Sequence, residues 1–166
     1  MYKKILIMKR SILIYINKLQ AYKTAIKNIH WSSNNMSEHK LFDDIEDAVA
    51  EVQDEIAEVA QGVYGRLKLN DLKPRRYNIS TSKKMLQDLL NDTQQFLTTL
   101  RSKELVGVKS AVEAFIGKLN QFKYLLDFCL KEDLKRRIKT KINENRQENE
   151  FRKAIHEAVI TVLNKM

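Results

Sequence analysis

A chain of 166 residues, 43% apolar and 31% charged, is long enough for one domain with a substantial core and too short for two comfortable ones. Its net charge of +9 makes anionic partners the first class to consider. Four Gly, one Pro and a single Cys, Cys129, argue against a turn-rich β architecture, exclude an internal disulfide and suit a reducing, cytoplasmic setting.

The opening run MYKKILIMKRSILIYI places Lys3 and Lys4 before an apolar stretch, but Lys9 and Arg10 break that stretch after four residues. Nothing approaches the roughly 18 apolar residues of a membrane span, so the segment reads as an uncleaved helix and no membrane association is expected. In it Ile5, Met8, Ile12, Tyr15, Leu19, Tyr22, Ile26 and Ile29 alternate in steps of three and four, one apolar stripe ending near His30 and Trp31. The polar run SSNNMS predicts a loop, with Ser37 as N-cap of a second helix and Glu38 against the positive end of its dipole. That helix is expected to reach about residue 64 on the face Phe42, Ile45, Val49, Val52, Ile56, Val59 and Val63. Residues 65–80, with Gly65 and Pro74, form the longest connection.

A third helix over about 82–100 should bury Leu86, Leu89, Leu90, Phe96 and Leu97. A fourth, over about 108–130, repeats the pattern through Val108, Val112, Phe115, Leu119, Phe122 and Leu126. Four one-sided stripes are what a four-helix bundle requires, so the expected fold is all-α, with a bundle over residues 1–130. Residues 131–166 form a helical extension, basic in its first half and amphipathic in its second through Phe151, Ile155, Ala158, Val159 and Val162.

The second helix contains an anomaly for so basic a chain. Its segment HKLFDDIEDAVAEVQDEIAE carries Asp43, Asp44, Glu46, Asp47, Glu51, Asp54, Glu55 and Glu58 against one Lys, Lys40. At about 100° per residue, Asp43, Asp54, Asp47 and Glu58 fall near 40°, 60°, 80° and 100° from His39, a single stripe. His39 with Asp43, and Asp54 with Glu58, are i, i+4 pairs that direct two side chains to one point. Imidazole and carboxylate together suit iron, zinc or manganese.

One helix does not unite the two pairs, since residues 39 and 54 are about 22 Å apart along it, whereas metal–ligand bonds are about 2.0–2.6 Å. Two copies running antiparallel across a two-fold axis do unite them: His39 and Asp43 of one chain then face Glu58 and Asp54 of the other. His30, at the end of the first helix, offers a further nitrogen. The plain alternative is a solvated acidic face.

The order HW at 30–31, H-x-x-x-D at 39–43 and D-x-x-x-E at 54–58 resembles the ferroxidase signature of Dps, the DNA-protecting mini-ferritins. The resemblance covers residues 30–58 by motif and residues 1–130 by helix order. It implies a ferritin-like four-helix bundle and a homo-oligomer built from two-fold dimers, a dodecamer in that family. It also implies Fe(II) oxidation, with hydrogen peroxide as preferred oxidant, for iron storage and protection of DNA from oxidative damage. A di-iron site would take His30, His39 and Asp43 from one subunit and Asp54 and Glu58 from its mate, with zinc or manganese as substitutes. Trp31 matches the aromatic that follows the first His near the catalytic centre. The loop between the two His is shorter than usual in that family, and the tail is longer. Ordinary ferritins use Glu-x-x-His within one subunit, and no Glu-x-x-His occurs in this sequence.

The positive charge is clustered. Residues 1–30 hold Lys3, Lys4, Lys9, Arg10, Lys18, Lys23 and Lys27 without an acid, and the long connection holds Arg66, Lys68, Lys73, Arg75 and Arg76. Lys135, Arg136, Arg137, Lys139 and Lys141 are the best candidates for sequence-independent contact with nucleic-acid phosphates, and the basic terminal extensions of the Dps family point the same way. Two classes of function follow: a Dps-like ferroxidase, or a non-enzymatic helical oligomer with a structural or DNA-coating role and a degenerate metal site.

Overall fold

A computed structural model of the chain describes residues 2–68, 72–73, 76–78 and 81–163, with side chains described from residue 7 to residue 156 within those spans. The side chains of Lys3, Lys4, Ile5, Ala158, Val159 and Val162, together with Pro74 and Arg75, lie outside the described residues. Four helices follow in order: α1 (Tyr2–Ser32), α2 (Met36–Tyr64), α3 (Ser82–Thr99) and α4 (Val106–Leu163), with one 3-10 turn, Lys103–Leu105, before the last. The chain divides into two compact units, Met1–Phe128 and Cys129–Met166, and α4 contributes to both.

The first unit is a four-helix bundle whose helix directions follow from its cross-helix bonds. Lys9 Nζ donates to the Tyr64 carbonyl, Gln53 Nε2 to the Ile16 carbonyl, and Lys27 pairs with Glu46, so α1 and α2 are antiparallel. Ser11 meets Thr99 at 3.0 Å, Tyr15 meets Thr93 at 2.8 Å and Tyr22 meets Asp92 at 2.9 Å, so α1 and α3 are antiparallel too. Helices α2 and α3 therefore run the same way, and the connection between them must cross the length of the bundle. Lys118 of α4 pairs with Glu51, while Gly107 lies against Val59, which sets α4 antiparallel to α2. A single long crossover is the connectivity of ferritin-like bundles.

The predicted stripes supply the core. Ile12, Tyr15, Leu19 and Ile26 of α1 are nearly inaccessible, as are Phe42, Ile45, Val49 and Ile56 of α2. Leu86 and Leu89 of α3, and Val108, Val112, Phe115 and Leu119 of α4, close the interior. Each such side chain contributes about 1.5–3 kcal/mol by leaving water. Tyr15 stacks on Phe96 at 4.1 Å and donates to Thr93, whose hydroxyl donates to the Leu89 carbonyl at 2.7 Å, so its polar end costs little to bury.

Several boundaries differ from the sequence expectation. The N-cap of α2 is Asn35 rather than Ser37: its side-chain oxygen accepts from the backbone N–H of Ser37 and of Glu38. Helix α2 ends at Gly65, whose φ of 77° lies where a Cβ is disfavoured. Val59, Leu97 and Phe122 are only half-buried and Val63 is exposed, whereas Ala48 and Ala60 are buried. Phe122 stands beside Asp44, Asp47 and Glu51 at the open groove between α2 and α4.

The fourth helix does not stop near residue 130. After Gly117 the sequence has neither Gly nor Pro, so it carries no strong stop signal, and ion pairs within the helix support the second unit. Among the described residues no helix is long and apolar enough to cross a membrane.

Burial raises the Tyr15 phenol well above its ordinary 10.0, and burial together with a hydrogen bond to Asp92 does the same to Tyr22. A phenol kept neutral in the fold contributes stability that is fully present below the unfolded value and lost as pH rises above it. Melting temperature is accordingly expected to hold between pH 7 and 9 and to fall above about pH 10. Tyr15→Phe should lose about 1 kcal/mol at pH 7 with its hydrogen bond to Thr93, yet fall less steeply in alkali; an unchanged alkaline slope would exonerate Tyr15.

Candidate metal centre

The hairpin between α1 and α2 is closed by residues 33–35 alone. The Ser33 hydroxyl donates to the Glu38 carboxylate at 2.8 Å, and Asn35 caps α2, so the chain reverses tightly. This places His30, in the last turn of α1, against His39, in the second turn of α2.

The two imidazoles are cross-bonded. His30 Nδ1 lies 3.0 Å from the His39 carbonyl oxygen and His39 Nδ1 lies 2.9 Å from the His30 carbonyl oxygen, with ring centroids 3.7 Å apart. A carbonyl only accepts, so each Nδ1 carries the proton. In a neutral ring this leaves the lone pair on Nε2, the tautomer that binds metals when the other nitrogen is held by a backbone oxygen. The bonds also have a structural effect, because the His30 carbonyl is one of the last four of α1 and has no partner within the helix.

One turn further, Asp43 Oδ1 lies 3.3 Å from His30 Nδ1. Lys27 Nζ lies 3.7 Å from the same carboxylate and 2.7 Å from Glu46. Thus His30, His39 and Asp43 come together within one chain, whereas Asp54 and Glu58 lie farther along α2, about 16 Å or more from Asp43 at 1.5 Å per residue. Among the described residues no group of three or more His, Cys, Asp and Glu is placed to hold a metal ion within one chain.

The acidic stripe is the outward face of α2. Its centre is about 180° from that of the buried set Phe42, Ile45, Val49, Val52 and Ile56. Glu51 is paired by Lys118, and Asp43 and Glu46 by Lys27. Asp44, Asp47, Asp54, Glu55 and Glu58 are exposed and have no ion-pair partner among the described residues. Trp31 is 69% exposed, with Lys27 Nζ 6.0 Å from its ring centroid. Lys27 is the member of this site that the acid and His spacing does not reveal. Its signal is its place three and four residues before His30 and Trp31, on the same helix face.

In the second unit the five basic candidates are all exposed, but not equally available. Lys135 is paired with Glu132, and Arg136 and Arg137 share Asp133 at 2.8 and 2.7 Å. Lys139 and Lys141 have no ion-pair partner among the described residues.

Residues 30–126 match a family of unknown function, DUF5856. The chain belongs to DUF5856. No curated protein and no solved structure matches the chain. The span shared with DUF5856 contains His30, Trp31, His39, Asp43, Asp54 and Glu58, and leaves the basic cluster 135–141 outside.

Proposed function

We propose that the chain is a Dps-like ferroxidase that binds and oxidises Fe(II) at sites completed across a two-fold axis. The observation that carries this reading is the outward stripe on α2, which holds Asp43 beside two histidines whose Nδ1 protons are already committed and, farther along, Asp54 and Glu58 without an ion-pair partner among the described residues. Metal held with a second copy would supply Asp54 and Glu58 with the cation that they lack among the described residues. In that arrangement His30, His39 and Asp43 of one subunit meet Asp54 and Glu58 of the other.

The donor set fits Fe(II) as substrate. Carboxylates stabilise the ferric product and imidazole nitrogens hold the ferrous ion, and few protein ligands leave positions open for an oxidant. Two irons supply both electrons needed by one hydrogen peroxide, giving two ferric ions and, with two protons, two waters. No one-electron reduction to hydroxyl radical intervenes. Lys27 holds Asp43 and Glu46, and must give up Asp43 for that carboxylate to ligate a cation.

Anaerobic Fe(II) titration followed by peroxide tests the reading directly. Saturable binding and oxidation faster than in buffer are expected, with Zn(II) and Mn(II) competing. Non-saturable binding with buffer-like oxidation would remove it.

A second reading is favoured by the reciprocal His–carbonyl bonds, which join the two sides of the hairpin by protein groups alone. On it the chain is a helical oligomer that coats DNA, and the histidines are a structural clasp. His39→Ala would then lower the melting temperature while iron handling, already absent, stayed unchanged.

A further inference from the structure

Between α1, α3 and the crossover lies a cleft of about 370 Å³, within the range of small-ligand sites, about 300–1,000 Å³. It shares no residue with the α2 stripe. Its acids are already satisfied: Asp92 accepts from Lys18 at 2.6 Å and from Tyr22 at 2.9 Å, and Asp88 accepts from Tyr77 and Lys84. The side chains of Tyr22 and Tyr77 meet with centroids 4.7 Å apart and form an aromatic wall.

What remains uncommitted is a pair of donors. Arg76 lines the cleft without a hydrogen-bond or ion-pair partner among the described residues. Asn91 uses its side-chain oxygen to accept from Gln87 at 2.8 Å, which leaves its amide N–H groups to spare. A guanidinium fork presents two parallel N–H groups, the geometry that a carboxylate accepts in bidentate fashion. An aromatic wall favours a planar apolar body. An ammonium would meet the Arg76 charge, and an anion without a ring would leave the wall unused.

We propose that this cleft binds a small aromatic carboxylate, its carboxylate on Arg76 and Asn91 and its ring against Tyr77. The site stands apart from the iron reading and does not depend on it.

Benzoate is the probe, titrated into the full chain and followed by calorimetry and by the tyrosine resonances, with inorganic phosphate and benzylamine as comparators. Saturable benzoate binding with a Kd on the order of 1 mM is expected for a ligand of this size. Arg76→Gln should weaken it at least fivefold without changing helical content, because Arg76 is exposed, lies outside the helices and has no hydrogen-bond or ion-pair partner among the described residues. Arg76→Lys should recover only part, since charge returns without the fork. Phosphate or benzylamine binding as tightly as benzoate, equal affinity in Arg76→Gln, or no saturation by about 50 mM each overturns the assignment.

Discussion

Two inactive variants are expected to restore up to half of wild-type iron oxidation when they share a dimer. One carries His39→Ala with Asp43→Ala, the other Asp54→Ala with Glu58→Ala. In either homodimer each site loses half of these four ligands, so each variant alone should bind Fe(II) poorly and oxidise it slowly. In a mixed dimer the antiparallel pairing gathers all four substitutions at one site and leaves the other native. All four positions are exposed or half-buried, away from the packed face of α2, so the bundle should fold normally in each variant. A site built within one chain would leave every chain defective, and mixing would restore nothing. Absence of recovery in dimers shown to be mixed therefore sinks the shared site.

Neutralising the basic tail should have the second large effect, on duplex DNA affinity and its dependence on salt. Each phosphate contact contributes about 0.9 to the slope of log K against log salt. Lys139 and Lys141 have no acid to give up among the described residues, so Lys139→Gln with Lys141→Gln should lower the slope by about two and weaken binding at about 50 mM salt by tenfold or more. Lys135, Arg136 and Arg137 first leave Glu132 and Asp133, but exposed pairs of this kind are worth only about 0–1 kcal/mol, so phosphates displace them at small cost. Substituting all five with Gln should take the slope down by up to about four and a half, with equal loss on unrelated sequences. An unchanged slope would take the DNA contact away from residues 135–141.

The same residues mark how far the sequence could be read. Ile12, Leu19 and Ile26, then Phe42, Ile45 and Ile56, stand in the core as their spacing required, because a helix repeats about every 3.6 residues whatever it packs on. Phe122 and Val63 share that spacing without the burial: periodicity says which side of a helix is apolar, not how far along it a neighbour reaches. The i, i+4 pairs His39–Asp43 and Asp54–Glu58 were legible for the same local reason. That Asp43 is also held by Lys27, from another helix, was not.

By itself, then, the sequence determined the helices, their apolar faces and the acidic stripe, all of which are set by neighbours within a turn or two. It also left α4 free to continue to Leu163, since no Gly or Pro follows Gly117. Only the tertiary structure decided that α2 and α3 run the same way, because a connection's composition does not state which end of the bundle it returns to. It alone bonded His30 and His39 to each other's carbonyls and set Arg76 and Tyr77 in one cleft with Asn91 of α3. The reason is physical: a hydrogen bond forms between groups about 3 Å apart in space, and distances between helices follow from how whole faces pack, not from spacing along one chain.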